Sequence, residues 1–271
     1  MRGEIRYLSF LNILSVFLLA LSGLFEGVGG KILYVLSFAL PFAIGASLFK
    51  KLGAKPLKFH TGGVDLKLSL PLVFPIILLI FGASALTSLI LGAFGFSDNT
   101  ELSGSVISLI FNHALMPSLL EEALFRFIPL SFLLRCSKRG AITVSALFFA
   151  FAHCDLFQLP YAFLAGVCFA IVDIAFDSII PSLIIHFLNN ALSVLWMLYG
   201  DKVGIYFVIA LVLLAILSFV PVFIYRRRYA EIFKGTFLKD EKINISYEFL
   251  IFIVMTAFVA FTNLFSSLEG I

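Results

Sequence analysis

The sequence predicts an all-α fold: a polytopic integral membrane helical bundle with about eight to nine transmembrane helices. Of the 271 residues, 61% are hydrophobic and 13% are charged, and the mean hydropathy is +1.10. A soluble domain has about 25% charged residues, so this composition indicates a membrane protein. Nine apolar runs are long enough, or nearly long enough, to cross a hydrocarbon core of about 30 Å. We expect one transmembrane domain over residues 1–271.

The apolar runs follow one another along the whole chain. The first run follows Arg2 and Arg6 and could be a cleaved signal peptide, but its length and the further apolar runs favour an uncleaved first span. The fifth run is short and would have to pack inside the bundle or lie where the membrane thins. The nine runs are 7–24, 32–49, 68–94, 105–134, 141–153, 159–176, 179–199, 203–225 and 247–265. They predict scaffold spans over about 7–95, a core that contains the site over about 105–199, and C-terminal spans over about 203–265.

Basic residues fall in alternate connections between these runs. The clusters are Arg2 with Arg6, Lys50 with Lys51, Lys55 and Lys58, Arg135 with Lys138 and Arg139, and Arg226 with Arg227 and Arg228. The opposite connections are poor in Lys and Arg, and segment 95–104 contains Asp98 and Glu101 instead. The positive-inside rule therefore predicts a cytosolic N-terminus. We expect a multi-pass protein of a prokaryotic plasma membrane, and we interpret the polar connection 226–247 as a topology anchor rather than a docking surface.

Composition also limits other classes of function. The net charge of +3 is small and lies in short loops, so no nucleic-acid partner is predicted. The three cysteines, Cys136, Cys154 and Cys168, have no metal-binding or redox spacing and form no disulfide framework.

Ionisable side chains inside the apolar runs are the strongest functional signal. Glu121 and Glu122 lie in the middle of the fourth run, and Arg126 follows four residues after Glu122. A carboxylate at mid-bilayer costs several kcal/mol, so it is retained only where partners or a wet cavity offset that cost. Glu122 and Arg126 share a helix face and can form an ion pair. Glu121 points about 100° away from Glu122 and can face another partner.

Further polar side chains occur in the next three runs. His153 lies on the fifth run, and His186 and Asn190 share one face of the seventh at a spacing of four residues. At about 1.5 Å per residue, Glu121, His153 and Asn190 each lie about 20 Å from the cytosolic ends, and His186 about 13 Å. We therefore expect these groups to meet in one layer. The remaining polar positions are interpreted as cross-helix hydrogen bonds or an entrance (Asn112, His113), a packing contact (Asn189) and a residue near the cytosolic boundary (Asp173).

These residue types suit hydrolysis by water. A desolvated carboxylate such as Glu121 is a usable base for water, and His153 can share the water and move its proton. His186 and Asn190 can donate hydrogen bonds to a developing oxyanion. No serine or cysteine stands out as a nucleophile, so the sequence predicts peptide hydrolysis inside the membrane.

Three motifs together resemble those of the CPBP family of intramembrane proteases, which includes CAAX-processing, bacteriocin-processing (Abi) and Rce1-type prenyl proteases. The motifs are Glu121-Glu122-x-x-x-Arg126, Phe149-x-x-x-His153 and His186-x-x-x-Asn190, within residues 120–191. The resemblance implies a glutamate-dependent endopeptidase in which Glu121 and His153 activate water, and His186 and Asn190 stabilise the oxyanion. It also implies that Glu122 and Arg126 orient the site.

Alternatives remain at the level of sequence. Glu122 and Arg126 could serve only as a buried ion pair. One glutamate and two histidines could bind zinc with a water in the fourth position, although we expect no cofactor and no metal. A transporter or a non-catalytic bacteriocin-immunity or scaffold protein is also compatible with buried polar groups. For the protease, we expect a peptide or lipidated-protein substrate within the bilayer, cut near its cytosolic half; the oligomeric state is left open.

Overall fold

The computed structural model describes residues 2–25, 27–54, 56–58, 65–96, 102–234 and 245–266. Over these ranges the chain is helical, and its only β-type pairing is a single bridge between Lys58 and Ser178. The all-α bundle is therefore confirmed. Asp98, Glu101 and residues 235–244 of the polar connection lie outside the described ranges. The long helices are α1 (Arg2–Ser22), α2 (Gly27–Ser47), α3 (Leu66–Ala93), α4 (106–133), α5 (Lys138–Ala152), α6 (Leu159–Phe176), α7 (Ile180–Ile224), α8 (Arg226–Lys234) and α9 (Tyr247–Ser266), with a short helical turn at Phe49–Leu52.

Six of these helices (α1, α2, α3, α6, α7 and α9) are long and apolar enough to cross a membrane, among the residues described. Helix α1 belongs to the folded core, because Ile5, Leu8 and Leu11 are almost fully buried. It is also joined to α9 by an ion pair between Arg6 and Glu248 at 2.9 Å. Helix α1 thus packs against the rest of the bundle.

Helix α4 contains two π-helical turns, Phe111–Leu115 and Ala123–Phe127, on either side of the α-helical segment Met116–Glu122. A π turn inserts an extra residue per turn and is frequent at functional sites. Both glutamates therefore lie in a short regular segment whose two ends have a changed helical phase.

Helix α5 is short, as predicted, and it packs inside the bundle along most of its length. Its contact with α6 is close, because a Cβ added at Gly166 would lie 2.9 Å from the Cα of Ala146. Ser145 also donates a hydrogen bond to the carbonyl of Phe125 at 2.5 Å, which links α5 to α4. These contacts fix the position of His153, which follows the last residue of α5.

The predicted seventh and eighth runs form one continuous helical element, α7, instead of two helices with a loop. A straight helix of 45 residues would be about 67 Å long. Just before the start of α7, the backbone amide of Ile179 donates a hydrogen bond to the carbonyl of Lys58 at 3.2 Å. Just after the end of α7, the hydroxyl of Tyr229 donates a hydrogen bond to the carbonyl of Leu68 at 2.6 Å. The ten residues from Lys58 to Leu68 can span only about 36 Å.

The two ends of α7 are therefore much closer together than a straight helix allows, and the element must fold back. The rings of Trp196 and Phe207 confirm this, since their centroids are 5.5 Å apart although a straight helix would separate the residues by about 16 Å. Ideal Cβ atoms at Gly200 and Gly204 would lie 3.4 and 3.3 Å from the Trp196 ring. Glycines thus allow the close approach, and α7 contains two antiparallel limbs that correspond to the two predicted runs.

Candidate active site

The site is built around a partly open cavity of about 450 Å³ lined by residues of α2 to α7. Four of the side chains predicted from the sequence line it: Glu121, His153, His186 and Asn190. The other two predicted residues, Glu122 and Arg126, are fully buried behind the wall. The rest of the wall includes Tyr34, Asn112, His113, Phe149, Gln158, Phe169, Asn189, Ser193 and Met197. Helices α4 to α7 thus bring the polar groups of four apolar runs to one place.

The imidazole of His186 lies between the two glutamates. Its Nδ1 is 2.8 Å from Oε1 of Glu122, and its Nε2 is 3.6 Å from Oε2 of Glu121. The glutamates do face different surroundings, as the helical spacing predicts, because Glu121 faces the cavity and Glu122 does not. Their shared contact with His186 was not predicted, since it depends on how α7 crosses α4.

Glu122 and Arg126 form the predicted ion pair, with Nε of Arg126 at 3.8 Å from Oε2 of Glu122. The guanidinium group also lies over the ring of Phe149 at 4.1 Å and near that of Phe169 at 5.5 Å. A desolvated cation is attracted to the negative face of an aromatic ring. Arg126 is therefore held by one carboxylate and two rings in a site without solvent.

The orientation of His153 follows from one hydrogen bond. Its Nδ1 lies 2.7 Å from the carbonyl oxygen of Phe149, one turn earlier on α5. A carbonyl can only accept, so Nδ1 carries the hydrogen, and in the neutral ring Nε2 has the lone pair. The ring of Phe149 contacts both His153 and His186, at centroid distances of 4.8 and 5.5 Å. Phe149 thus separates the two imidazoles and keeps each in place.

The amide of Asn190 is oriented by its neighbour. Nδ2 of Asn189 donates to Oδ1 of Asn190 at 3.2 Å, which leaves both hydrogens of the Asn190 amide available to the cavity. The sequence interpretation gave Asn189 only a packing contact, whereas it lines the cavity and fixes Asn190.

Two neighbours of the site were missed or misplaced by sequence reasoning. Ser182 donates a hydrogen bond to Oε2 of Glu122 at 3.0 Å; its spacing of four residues before His186 could have revealed it. Asp173 was expected near the cytosolic boundary, where it could reach water, but it is fully buried and close enough to Glu122 and Arg126 for their charges to act on it. Its two carboxyl oxygens lie near the hydroxyl and the backbone N–H of Ser182 but form no short hydrogen bond in the described part of the chain.

Cys154 directly follows His153 but is unsuited to be a nucleophile. Burial, with a smaller contribution from Asp155, raises the pKa of its thiol to about 11. A thiol in that state is almost entirely protonated at neutral pH and reacts poorly. Within the described ranges, no three His, Cys, Asp or Glu side chains are arranged to hold a metal ion.

Comparison with known families agrees with the motifs. A family model described as type II CAAX prenyl endopeptidase Rce1-like matches residues 102–192. The resemblance to the CAAX protease family is confirmed. The matched segment runs from just before α4 to the start of α7, and it contains all six site residues predicted from the sequence. No significant match is found among curated proteins or solved structures. The CAAX family is one of proteases, and the match together with the six apolar helices supports a multi-pass membrane protein.

Proposed function

We propose that this protein is an intramembrane endopeptidase in which water, activated by Glu121 and His153, hydrolyses a peptide bond. The observation that carries the proposal is the division of the glutamate pair. Glu122 is fully buried and has three partners, Arg126, Ser182 and His186, whereas Glu121 faces the cavity beside His186. A carboxylate that faces an open cavity is available to a reacting water, and one that is buried with its partners is not.

In the proposed reaction, the water lies between the carboxylate of Glu121 and Nε2 of His153. One of these groups takes a proton from the water as its oxygen attacks the scissile carbonyl carbon. The carbonyl oxygen gains negative charge and accepts hydrogen bonds from the Asn190 amide and, when His186 is protonated, from its Nε2–H. Fixed donors of this kind typically contribute about 3–4 kcal/mol to transition-state stabilisation. The proton then passes from Glu121 or His153 to the leaving nitrogen as the C–N bond breaks.

Glu122 and the groups around it have a positioning role in this proposal. The Nδ1–H of His186 donates to Glu122, so the ring presents Nε2 to the cavity. Arg126 compensates the charge of Glu122, and Phe149 contacts Arg126, His153 and His186. Such support for the reacting side chains is what holds a site within the narrow geometry that catalysis requires.

The test is hydrolysis of a panel of farnesylated and unmodified hydrophobic peptides by the full chain purified in detergent. We expect Glu121→Gln and His153→Ala to abolish turnover while the proteins still fold and migrate as the wild type does. The matched control is Glu231→Gln, a change of the same type on an exposed position of α8, which should retain full activity. Retained turnover in both site variants would overturn the proposal. Loss of turnover on addition of a chelator, with recovery on addition of zinc, would favour the metal alternative instead.

A further inference from the structure

We infer that the cavity takes its peptide from the non-cytosolic face of the membrane. This inference rests on the proposed function, and it names the source of the substrate: a hydrophobic peptide segment that is exported, or anchored with its cleavage site on that face. Three observations support it: the end of the bundle to which the cavity extends, the distribution of basic residues between the two ends, and the chemistry of the cavity wall.

The cavity extends toward one end of the bundle only, called here the cavity end. On α4 it is lined from Glu121 back to Asn112, beyond which Leu102 precedes the helix. On α7 it is lined from His186 forward to Met197, and Gln158 lines it just before α6 begins. The cavity end is thus formed by the start of α4, the connection 153–158 and the C-terminal end of the first limb of α7.

The opposite end, called here the basic end, is tied together by contacts among its charged residues. Arg135 binds Glu4 and the carbonyl of Leu52, which joins the end of α4 to the start of α1 and to the turn after α2. Lys58 pairs with Asp177 at 3.2 Å. Arg228 pairs with Asp65 at 3.3 Å. These ion pairs place the ends of α4, α6 and α7 with the starts of α1 and α3.

Basic residues are distributed very unevenly between the two ends. Those described at the basic end are Arg2, Arg6, Lys51, Lys58, Lys67, Arg135, Lys138, Arg139, Arg226, Arg227, Arg228 and Lys234. At the cavity end the described basic residues are Lys31 and Lys202. Short loops rich in Lys and Arg remain in the cytosol, and acidic residues contribute little to this rule. The basic end is therefore cytosolic, and the cavity end faces the other side.

Depth leads to the same conclusion and corrects an expectation from the sequence. Glu121 is separated from Arg135 by fourteen residues, or about 20 Å of helix. In a hydrocarbon core of about 30 Å it lies in the half remote from the basic end. On this inference the cut lies in the non-cytosolic half, unlike the expectation from the sequence, because the cavity continues from Glu121 away from the basic end.

The lining of the cavity indicates what kind of segment it accepts. Its inner wall is formed by apolar side chains, including Ile80, Phe149 and Phe169. Nearer the cavity end the polar groups are uncharged amides and hydroxyls such as Asn112, Gln158 and Ser193, which can bind the backbone of an extended peptide. In the described part of the wall, Glu121 is the one carboxylate and no Lys or Arg is present. An uncharged, apolar peptide segment fits this wall, whereas a charged one would be desolvated without compensation.

The side of access can be measured without reference to activity. In a variant with Cys136, Cys154 and Cys168 replaced by alanine, single cysteines are introduced as Met197→Cys at the cavity end or Lys51→Cys at the basic end, both exposed positions. Intact cells that express the full chain are treated with a membrane-impermeant maleimide. We expect Met197→Cys to be labelled in intact cells, and Lys51→Cys only after the cells are permeabilised.

The reverse pattern, or equal labelling of both variants in intact cells, would overturn the inference. Asp201→Cys, at an exposed position of the same end, provides a second probe in case Met197→Cys reacts from neither side. Failure of the proposed function gives a different result: labelling as expected, but no hydrolysis in detergent. Hydrolysis in detergent combined with labelling of Met197→Cys and Asp201→Cys only after permeabilisation would refute the access side and leave the protease intact.

Discussion

At the scale of single residues, the site depends on which buried carboxylate neutralises the positive charge of Arg126. Arg126 is fully buried and pairs with Glu122, while Asp173 is equally buried, lies near Ser182, and forms no ion pair within 4 Å among the residues described. The two acids therefore differ in what their charge does. Glu122 compensates Arg126 and orients His186, whereas an ionised Asp173 would add a desolvated charge without an ion-pair partner among the residues described.

This difference predicts that the same chemical change, from a carboxylate to an amide, has unequal effects at the two positions. Glu122→Gln leaves Arg126 without its counter-charge and should reduce the free energy of unfolding by about 3–5 kcal/mol, the usual cost of breaking a buried pair. Activity should fall but persist, because the Gln oxygen can still accept from His186. Asp173→Asn should change the free energy of unfolding by less than about 1 kcal/mol. Unfolding by SDS titration in mixed micelles measures both, and equal destabilisation by the two changes would contradict this account.

Part of the residue arrangement is predictable from spacing alone. The i, i+4 rule gives the pair of Glu122 with Arg126, and helix depth gives the shared layer of Glu121, His153 and Asn190. The contact of His186 with both glutamates is not predictable in this way, because it depends on the crossing of α4 and α7 and on the π turns that bracket the glutamate segment. Periodicity assumes a constant phase along a helix, and a π turn changes it.

At the scale of elements, the position of α5 depends on a small residue of α6. Helix α5 has 15 residues, and His153 follows its last turn. Its close contact with α6 is possible because position 166 lacks a side chain. Small residues allow helix backbones to approach closely in membranes, where the hydrophobic effect contributes little to helix association. The sequence predicted that the fifth run either packs inside the bundle or lies where the membrane thins, and the structure shows the first; the identity of the glycine that permits the approach required the structure.

Two Gly→Ala substitutions test this element. At Gly166 the new Cβ would lie 2.9 Å from Cα and 3.0 Å from Cβ of Ala146, so the two helices must separate. We expect Gly166→Ala to cost about 1–3 kcal/mol in the free energy of unfolding, as overpacking usually does. It should also lower the hydrolysis rate, since α5 carries His153.

The control is Gly82→Ala on α3, where the added Cβ meets no atom within 4 Å. That change should be neutral or stabilise by up to about 1 kcal/mol, because alanine has the higher helix propensity. SDS unfolding and peptide turnover are compared for both variants. If Gly166→Ala behaved as Gly82→Ala does, the close approach of α5 and α6 would not be the constraint described here.

At the scale of the whole molecule, the return of α7 brings the last part of the chain back to the basic end. The apolar pattern predicted two separate runs here, over 179–199 and 203–225, and both limbs are present. The pattern suggested a loop between them because Gly200, Asp201 and Lys202 interrupt the apolar sequence, whereas helical hydrogen bonding continues through these residues. Hydropathy identifies where a chain leaves the apolar phase but not how its backbone turns.

Cross-linking tests the return of α7 directly. With the native cysteines replaced, the pair Asp65→Cys and Arg228→Cys should be joined within one chain by a short bismaleimide, because the wild-type side chains approach to 3.3 Å. The pair Asp65→Cys and Asp201→Cys should not be joined, since Asp201 lies at the turn between the limbs, at the cavity end. Mass spectrometry of the digested protein identifies the linked peptides. A straight α7 would separate its ends by about 67 Å, and the first pair would then not be cross-linked. If that link is absent although both cysteines have each reacted with the reagent, the fold-back is refuted.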